Sequence, residues 1–284
     1  MKMVDKKLYK NLKKEYKSLK LEYIREKFRI KDEKRDQLKD LKYDYKYKRL
    51  AVKTPLKAEK YKIKVENKKR HRAMNEPPRR SLLEEIGNSV SHGVGAIIAI
   101  VLMILMINKS QTGLAVFSSV VYGMCLFLSM LASCLYHSFR AGSTVKRVFR
   151  RFDYSTIYLL IAGTFSPLHL IYWGNTLGIV LFFVQWALIV FGITMVSIFG
   201  PGRIRWLHYT LYFLIGWSGL MFLPDFISNC LPLLWWILAG GLCYTLGMIP
   251  FAMFKNRAPS HFIWHLCVLA GAILQWVGIY MYVF

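Results

Sequence analysis

Seven runs of 17 to 24 predominantly apolar residues fill the chain from residue 91 to residue 284. A helix that crosses a bilayer needs roughly 20 such residues, with about 17 to 25 tolerated. The runs lie at about 91–107, 113–136, 155–173, 176–199, 206–223, 231–254 and 262–284. Residues 81–284 hold only four carboxylates, whereas residues 1–80 hold 30 of the 40 Lys and Arg and 12 of the 16 Asp and Glu. Such a division means two regions in two solvents. The expected architecture is an all-α membrane domain of seven transmembrane helices over 81–284, preceded by a Lys-rich extension over 1–80 that is partly helical or disordered.

Charge sets the expected orientation. The connector after run two carries Arg140, Lys146, Arg147, Arg150 and Arg151, the one after run four Arg203 and Arg205, and the one after run six Lys255 and Arg257. Basic connectors face the cytoplasm. The alternate side has Lys109, the Gly174–Asn175 turn and the connector with Asp225. An N-terminus in the cytoplasm, a C-terminus outside and a multi-pass position in the cell membrane follow. That orientation argues against a G-protein-coupled receptor, whose N-terminus lies outside. A retinal protein needs a lysine inside a late span, and no run contains one. The charged start offers no cleavable signal peptide, so insertion is expected to rely on the helices themselves. The five cysteines show no CxxC spacing and read as small buried apolar residues.

In the extension, Tyr9, Leu12, Tyr16, Leu19 and Tyr23 are spaced three and four apart, a short heptad-like stripe that breaks at Glu26 and Glu33. Pro55 and Pro77-Pro78 divide the region further. Its expected partners are anionic lipid headgroups, each basic residue near such a surface contributing about 1 kcal/mol. Nucleic acid is the weaker option, because no base-reading motif accompanies the charge.

Ionisable groups in a membrane are costly unless paired or used. His92 opens run one, His137 closes run two, Asp153 precedes run three, and His261 and His265 open run seven, so one cytoplasmic layer holds them all. His261 and His265, four apart, share a helix face, which lets two imidazoles reach one ion, with His137 as the third. Three histidines and an open position are the pattern of catalytic zinc, whose bound water has a pKa near 7. Ser133 precedes His137 by four residues and Asn88 precedes His92 by four, so these groups can orient water or ligands. Asp153 can take a proton, or pair with Arg150 or Arg151. The competing reading makes each histidine a hydrogen-bonding helix contact, the role expected for His169 and His208. Trp173, Trp206, Trp235 and Trp236 read as interfacial anchors, and Ala239, Gly240, Gly241 and Gly247 as close helix packing.

These residues stand in four stretches: Glu84-Glu85 with Asn88 to Gly93, Ser133 to His137 within ASCLYHSF, Asp153 to Pro167, and Pro259 to Ala272. Together, in this order, they resemble the hemolysin III family, part of the progestin and adipoQ receptor group, over about residues 82–284. The resemblance implies an N-in seven-helix fold with zinc held by His137, His261 and His265, and with Ser133 and Asp153 in contact with water beside the ion. Asn88 and His92 become neighbours of the ligands. Tyr154 and Gln275 stand where many members are expected to carry histidine, and the Lys-rich region lies outside the resemblance.

The group is similar to alkaline ceramidases in site layout, which implies zinc-dependent hydrolysis of a lipid amide or ester, with Asp153 and Ser133 as catalytic groups and a membrane lipid as substrate or ligand. The alternative is a receptor or membrane-homeostasis sensor with structural zinc. A cytolysin ranks behind both, because pore-forming toxins convert from soluble forms and this chain reads as membrane-embedded throughout. Transport is weakened by the lack of paired carboxylates or broken helices at mid-depth.

Overall fold

The computed structural model describes residues 34–35, 37–48, 50–51, 54–253 and 260–284. The apolar stripe from Tyr9 to Tyr23, its breaks at Glu26 and Glu33, and the basic residues Lys255 and Arg257 lie outside the described residues. Two compact units divide the chain, one ending at Ala73 and the other running from Met74 to Phe284. In the first, residues 37–48 are helical and a second helix runs over Pro55–Met74. Side chains link the two helices: Lys69 pairs with Asp40 at 3.2 Å, and Lys46 and Lys68 lie over the rings of Tyr61 and Tyr43.

Among the described residues the second unit is helical without strands, and seven of its helices are long and apolar enough to cross a membrane. Spans one to seven run over Leu82–Lys109, Gly113–Ser138, Thr144–Trp173, Thr176–Phe199, Arg205–Asn229, Leu231–Phe251 and Ser260–Tyr282. Helices satisfy their backbone groups internally, which lipid demands. Several extend well beyond the apolar runs. Span one starts at Leu82 because Ser81 and Glu84 form a capping box: the Glu84 backbone N–H donates to Ser81 Oγ, and the Ser81 N–H donates back to Glu84 Oε2 at 2.9 Å.

Span three departs most from expectation. It begins at Thr144, capped by Ser143, so Lys146, Arg147, Arg150, Arg151 and Asp153 stand on a helix rather than in a connector. Their polarity hides the start from an apolar-length criterion. Span three is the least apolar of the seven and, along its apolar stretch, the most enclosed, while in its polar start Lys146 and Arg150 are buried and Arg151 and Phe152 are exposed. Pro167 lacks the N–H that an α-helix needs, and the chain continues beyond it as a π-helical turn over Leu168–Trp173. Gly174 at φ 55° and the Asn175 cap then reverse it into span four.

Span five is also broken: an α-helix to Gly216, a 3-10 turn over Ser218–Phe222, and a short helix Leu223–Asn229 that contains Asp225. In the packing, span seven lies between spans six and one, span one beside span two, span two beside span three, and span three beside span four. Of the small residues of span six, Gly240 and Gly247 permit the close packing expected. A Cβ at Gly240 would collide with the Gln275 side chain and would stand 2.8 Å from the carbonyl of Gly271 in span seven. Three apolar clusters fill the interior, and one of them, around Ala99, Leu126, Met130, Leu160, Val268 and Ala272, shares Leu160 and Val268 with the cavity that His92, His261 and His265 line.

Candidate metal centre

The histidine cluster forms where span two ends and span seven begins. His137 lies on the last turn of span two, while His261 and His265 lie on the first two turns of span seven. Packing of spans one, two and seven closes the gap between them. One ring nitrogen from each of the three falls within 4.8 Å of the others, and all three residues are buried. His261 Nε2 faces His137 Nε2 at 3.2 Å. Two ligands at about 2.0–2.1 Å in a tetrahedron stand about 3.3–3.4 Å apart, so this pair already has the spacing of two nitrogens on one zinc. An all-imidazole donor set also suits that ion.

Each remaining residue of the expected site has a place. His92 packs its ring on His265 with centroids 4.0 Å apart and pairs through Nε2 with the His265 carbonyl at 3.2 Å. Asn88 Nδ2 lies 3.4 Å from His137 Nδ1. Asp153 of span three and Ser133 of span two border a common cavity. Among the described residues no ion pair within 4.0 Å joins Asp153 to Arg150 or Arg151; Arg150 donates to the carbonyl of Glu76 at 3.1 Å and Arg151 to that of Ser197 at 3.2 Å. The Nδ1 atoms of His92, His261 and His265 are buried without a protein hydrogen-bond partner.

Two groups went unread in the sequence. Glu85 holds His137, accepting from Nδ1 at Oε2 over 2.7 Å. Lys146 donates to the other carboxylate oxygen at 2.9 Å. The available signal was helical spacing: Glu85, Asn88 and His92 fall at i, i+3 and i+7, a single face of span one.

A cavity of about 1230 Å³, counted with its open mouth, adjoins the cluster. His92, His261, His265, Ser133 and Asp153 line its polar end, and side chains such as Leu160, Ile161, Phe165, Met248 and Val268 make most of the rest apolar. Segment 75–80 lies against the same end. Asn75 accepts from the Gly202 N–H at 2.8 Å and donates to the Phe199 carbonyl at 3.0 Å, Glu76 pairs with Arg147 at 3.1 Å, and Pro78 and Arg80 border a small recess with Asp153 and His261.

The other histidines behave as expected of helix contacts in one case only. His208 pairs through Nδ1 with the Tyr158 hydroxyl at 3.0 Å. His169 has no hydrogen-bond partner at Nδ1 and packs instead between the rings of Phe165 and Trp173. At the two departures noted above, Gln275 donates to the Ile237 carbonyl at 3.3 Å, and Tyr154 gives its carbonyl to the Tyr212 hydroxyl at 2.6 Å.

Fold and site together define a multi-pass helical membrane protein with a buried three-histidine group able to hold a metal ion. The family model described as "Haemolysin-III related" matches residues 80–276. The chain is 36% identical over 207 residues to "Hemolysin-3" of Bacillus cereus, covering 70% of this chain and 92% of that one. It is 32% identical over 206 residues to "Hemolysin-3 homolog" of Bacillus subtilis (strain 168), covering 71% and 95%. The chain therefore belongs to the hemolysin III family, within the progestin and adipoQ receptor group.

Proposed function

We propose that this protein is a zinc-dependent hydrolase of a lipid amide or ester, with His137, His261 and His265 as ligands. The observation that carries the reading is the position of the cluster at the polar end of a mostly apolar cavity that also presents Asp153 and Ser133. When bound, zinc supplies a Lewis acid and lowers the pKa of its water. The apolar walls take up acyl chains. Asp153 is placed to receive the proton released as water adds to the acyl carbon and to pass it to the departing amine or alcohol. Ser133 lines the same polar end of the cavity and adds a hydroxyl that can orient that carboxylate or the water.

The sensor reading has one observation in its favour: Glu85 and Lys146 tie His137 to spans one and three, so the centre also braces the bundle. Metal analysis of the purified protein, together with turnover of ceramides, acylated lipids and phospholipids, separates the two. The enzyme reading expects stoichiometric zinc and fatty-acid release from at least one class. Zinc without hydrolysis of any class would sink it and leave the sensor.

The orientation proposed with it is N-terminus in the cytoplasm and C-terminus outside, in the plasma membrane, on the charge bias of the connectors. The basic first unit is proposed to lie on anionic headgroups. Protease should then cut residues 34–73 in inside-out vesicles and spare them in right-side-out ones. In bilayers with phosphatidylglycerol that cleavage should be slower than in pure phosphatidylcholine, the difference vanishing at high salt. Equal rates in the two lipids would refute the headgroup contact, and cleavage only in right-side-out vesicles would refute the orientation.

A further inference from the structure

We infer that Glu85 and Lys146 are the positioning pair of the metal centre, Lys146 holding the carboxylate that in turn aims His137 at the ion. This inference rests on the reading of the three histidines as a zinc site. It starts from a backbone cap: the Lys146 N–H donates to Ser143 Oγ at 3.1 Å, which sets the first turn of span three. From there the Lys146 side chain, 1% exposed, points into the protein rather than to solvent. Its ammonium donates to Glu85 Oε1 at 2.9 Å and to the Phe139 carbonyl at 2.9 Å, and lies 4.9 Å from the centre of the Tyr136 ring. Phe139 is the C-cap of span two, so the cation sits where the helix dipole favours it. Glu85 is thereby clamped to the turn of helix that carries His137.

With Oε1 held by Lys146, Oε2 meets His137 Nδ1 at 2.7 Å. A neutral imidazole donates from one nitrogen and accepts at the other. The proton therefore sits on Nδ1, and the free electron pair of Nε2 points at the place where His261 Nε2 stands 3.2 Å away. Metal-ligating histidines are characteristically oriented in this way by a carboxylate. The adjacent acid cannot substitute, because Glu84 Oε2 is taken by the Ser81 backbone N–H and hydroxyl at 2.9 and 3.0 Å. Neighbouring glutamates thus have separate tasks, one starting span one and the other orienting a ligand on span two.

The test is zinc affinity, measured by chelator competition on the full chain, beside the melting midpoint of each metal-free protein. Glu85→Gln has one oxygen for two donors and should weaken zinc by about 10–100-fold, the usual cost of losing an outer partner. Lys146→Met should weaken it by about tenfold although Lys146 touches no ligand. The double variant should be no worse than the weaker single, as expected of residues in one network. Lys146→Arg, whose guanidinium also pairs with a carboxylate, should restore affinity to within about threefold of wild type. Wild-type affinity in either Glu85→Gln or Lys146→Met overturns the inference, as does a lowered metal-free midpoint with unchanged affinity. Should Lys146→Met not fold, Glu85→Asp must weaken zinc while Lys146→Arg must not, and the opposite result refutes the pair's role. Wild-type protein that binds no zinc would instead remove the reading on which the inference rests.

Discussion

His261→Ala is expected to strip the protein of zinc while the seven helices stay in place. His261 supplies the nitrogen that faces His137 Nε2 at 3.2 Å, and without it two imidazoles remain for the ion. The loss of affinity should exceed the roughly 10–100-fold that follows removal of an outer partner. Fold is less at stake, because the ring sits on the first turn of span seven against Phe251. Farther along, span seven is held by its close approach to span six at Gly240 and Gly271, which the substitution does not touch. Elemental analysis should find wild-type protein loaded and the variant empty at equal helical content by circular dichroism. A folded His261→Ala protein with full zinc would place the metal elsewhere and remove the basis of the proposed chemistry.

The reasons that made His261 readable show where reading a sequence of this kind stops. Membrane helices announce themselves through uninterrupted apolar length, so seven spans were plain. Histidines four apart at a span's start, with another at a span's end, suggested one layer, and helix packing brings their nitrogens within 4.8 Å. Span three was half hidden. From Thr144 to Asp153 its residues are too polar to count as membrane, yet their helix is capped by Ser143, and the buried Lys146 and Arg150 have hydrogen-bond partners that compensate for their charge. With that turn read as a connector, Lys146 looked like one more basic loop residue, when it lies wholly inside the protein. Glu85 was hidden for a related reason. Its partners lie 52 and 61 positions away, and only the meeting of three helices shows why a glutamate stands there.

Asp153→Asn tests the chemistry apart from the metal. The substitution is close to isosteric, so the wall of the cavity that Asp153 shares with Ser133 should keep its shape. What goes is the capacity to hold a proton. A positioned acid–base group is worth about 10²–10⁴ in rate, and lipid hydrolysis should fall by that much with zinc content unchanged. Ser133→Ala should cost less, since it removes a hydroxyl from the polar end of the cavity and leaves the carboxylate in place. The pairing of readouts gives the test its force. Loss of zinc in Asp153→Asn would make the carboxylate part of the metal's own support. Unaltered turnover with zinc in place would mean that another group carries the proton. Loss of turnover with zinc retained is the outcome expected if the three histidines bind the ion and the adjoining carboxylate serves the reaction.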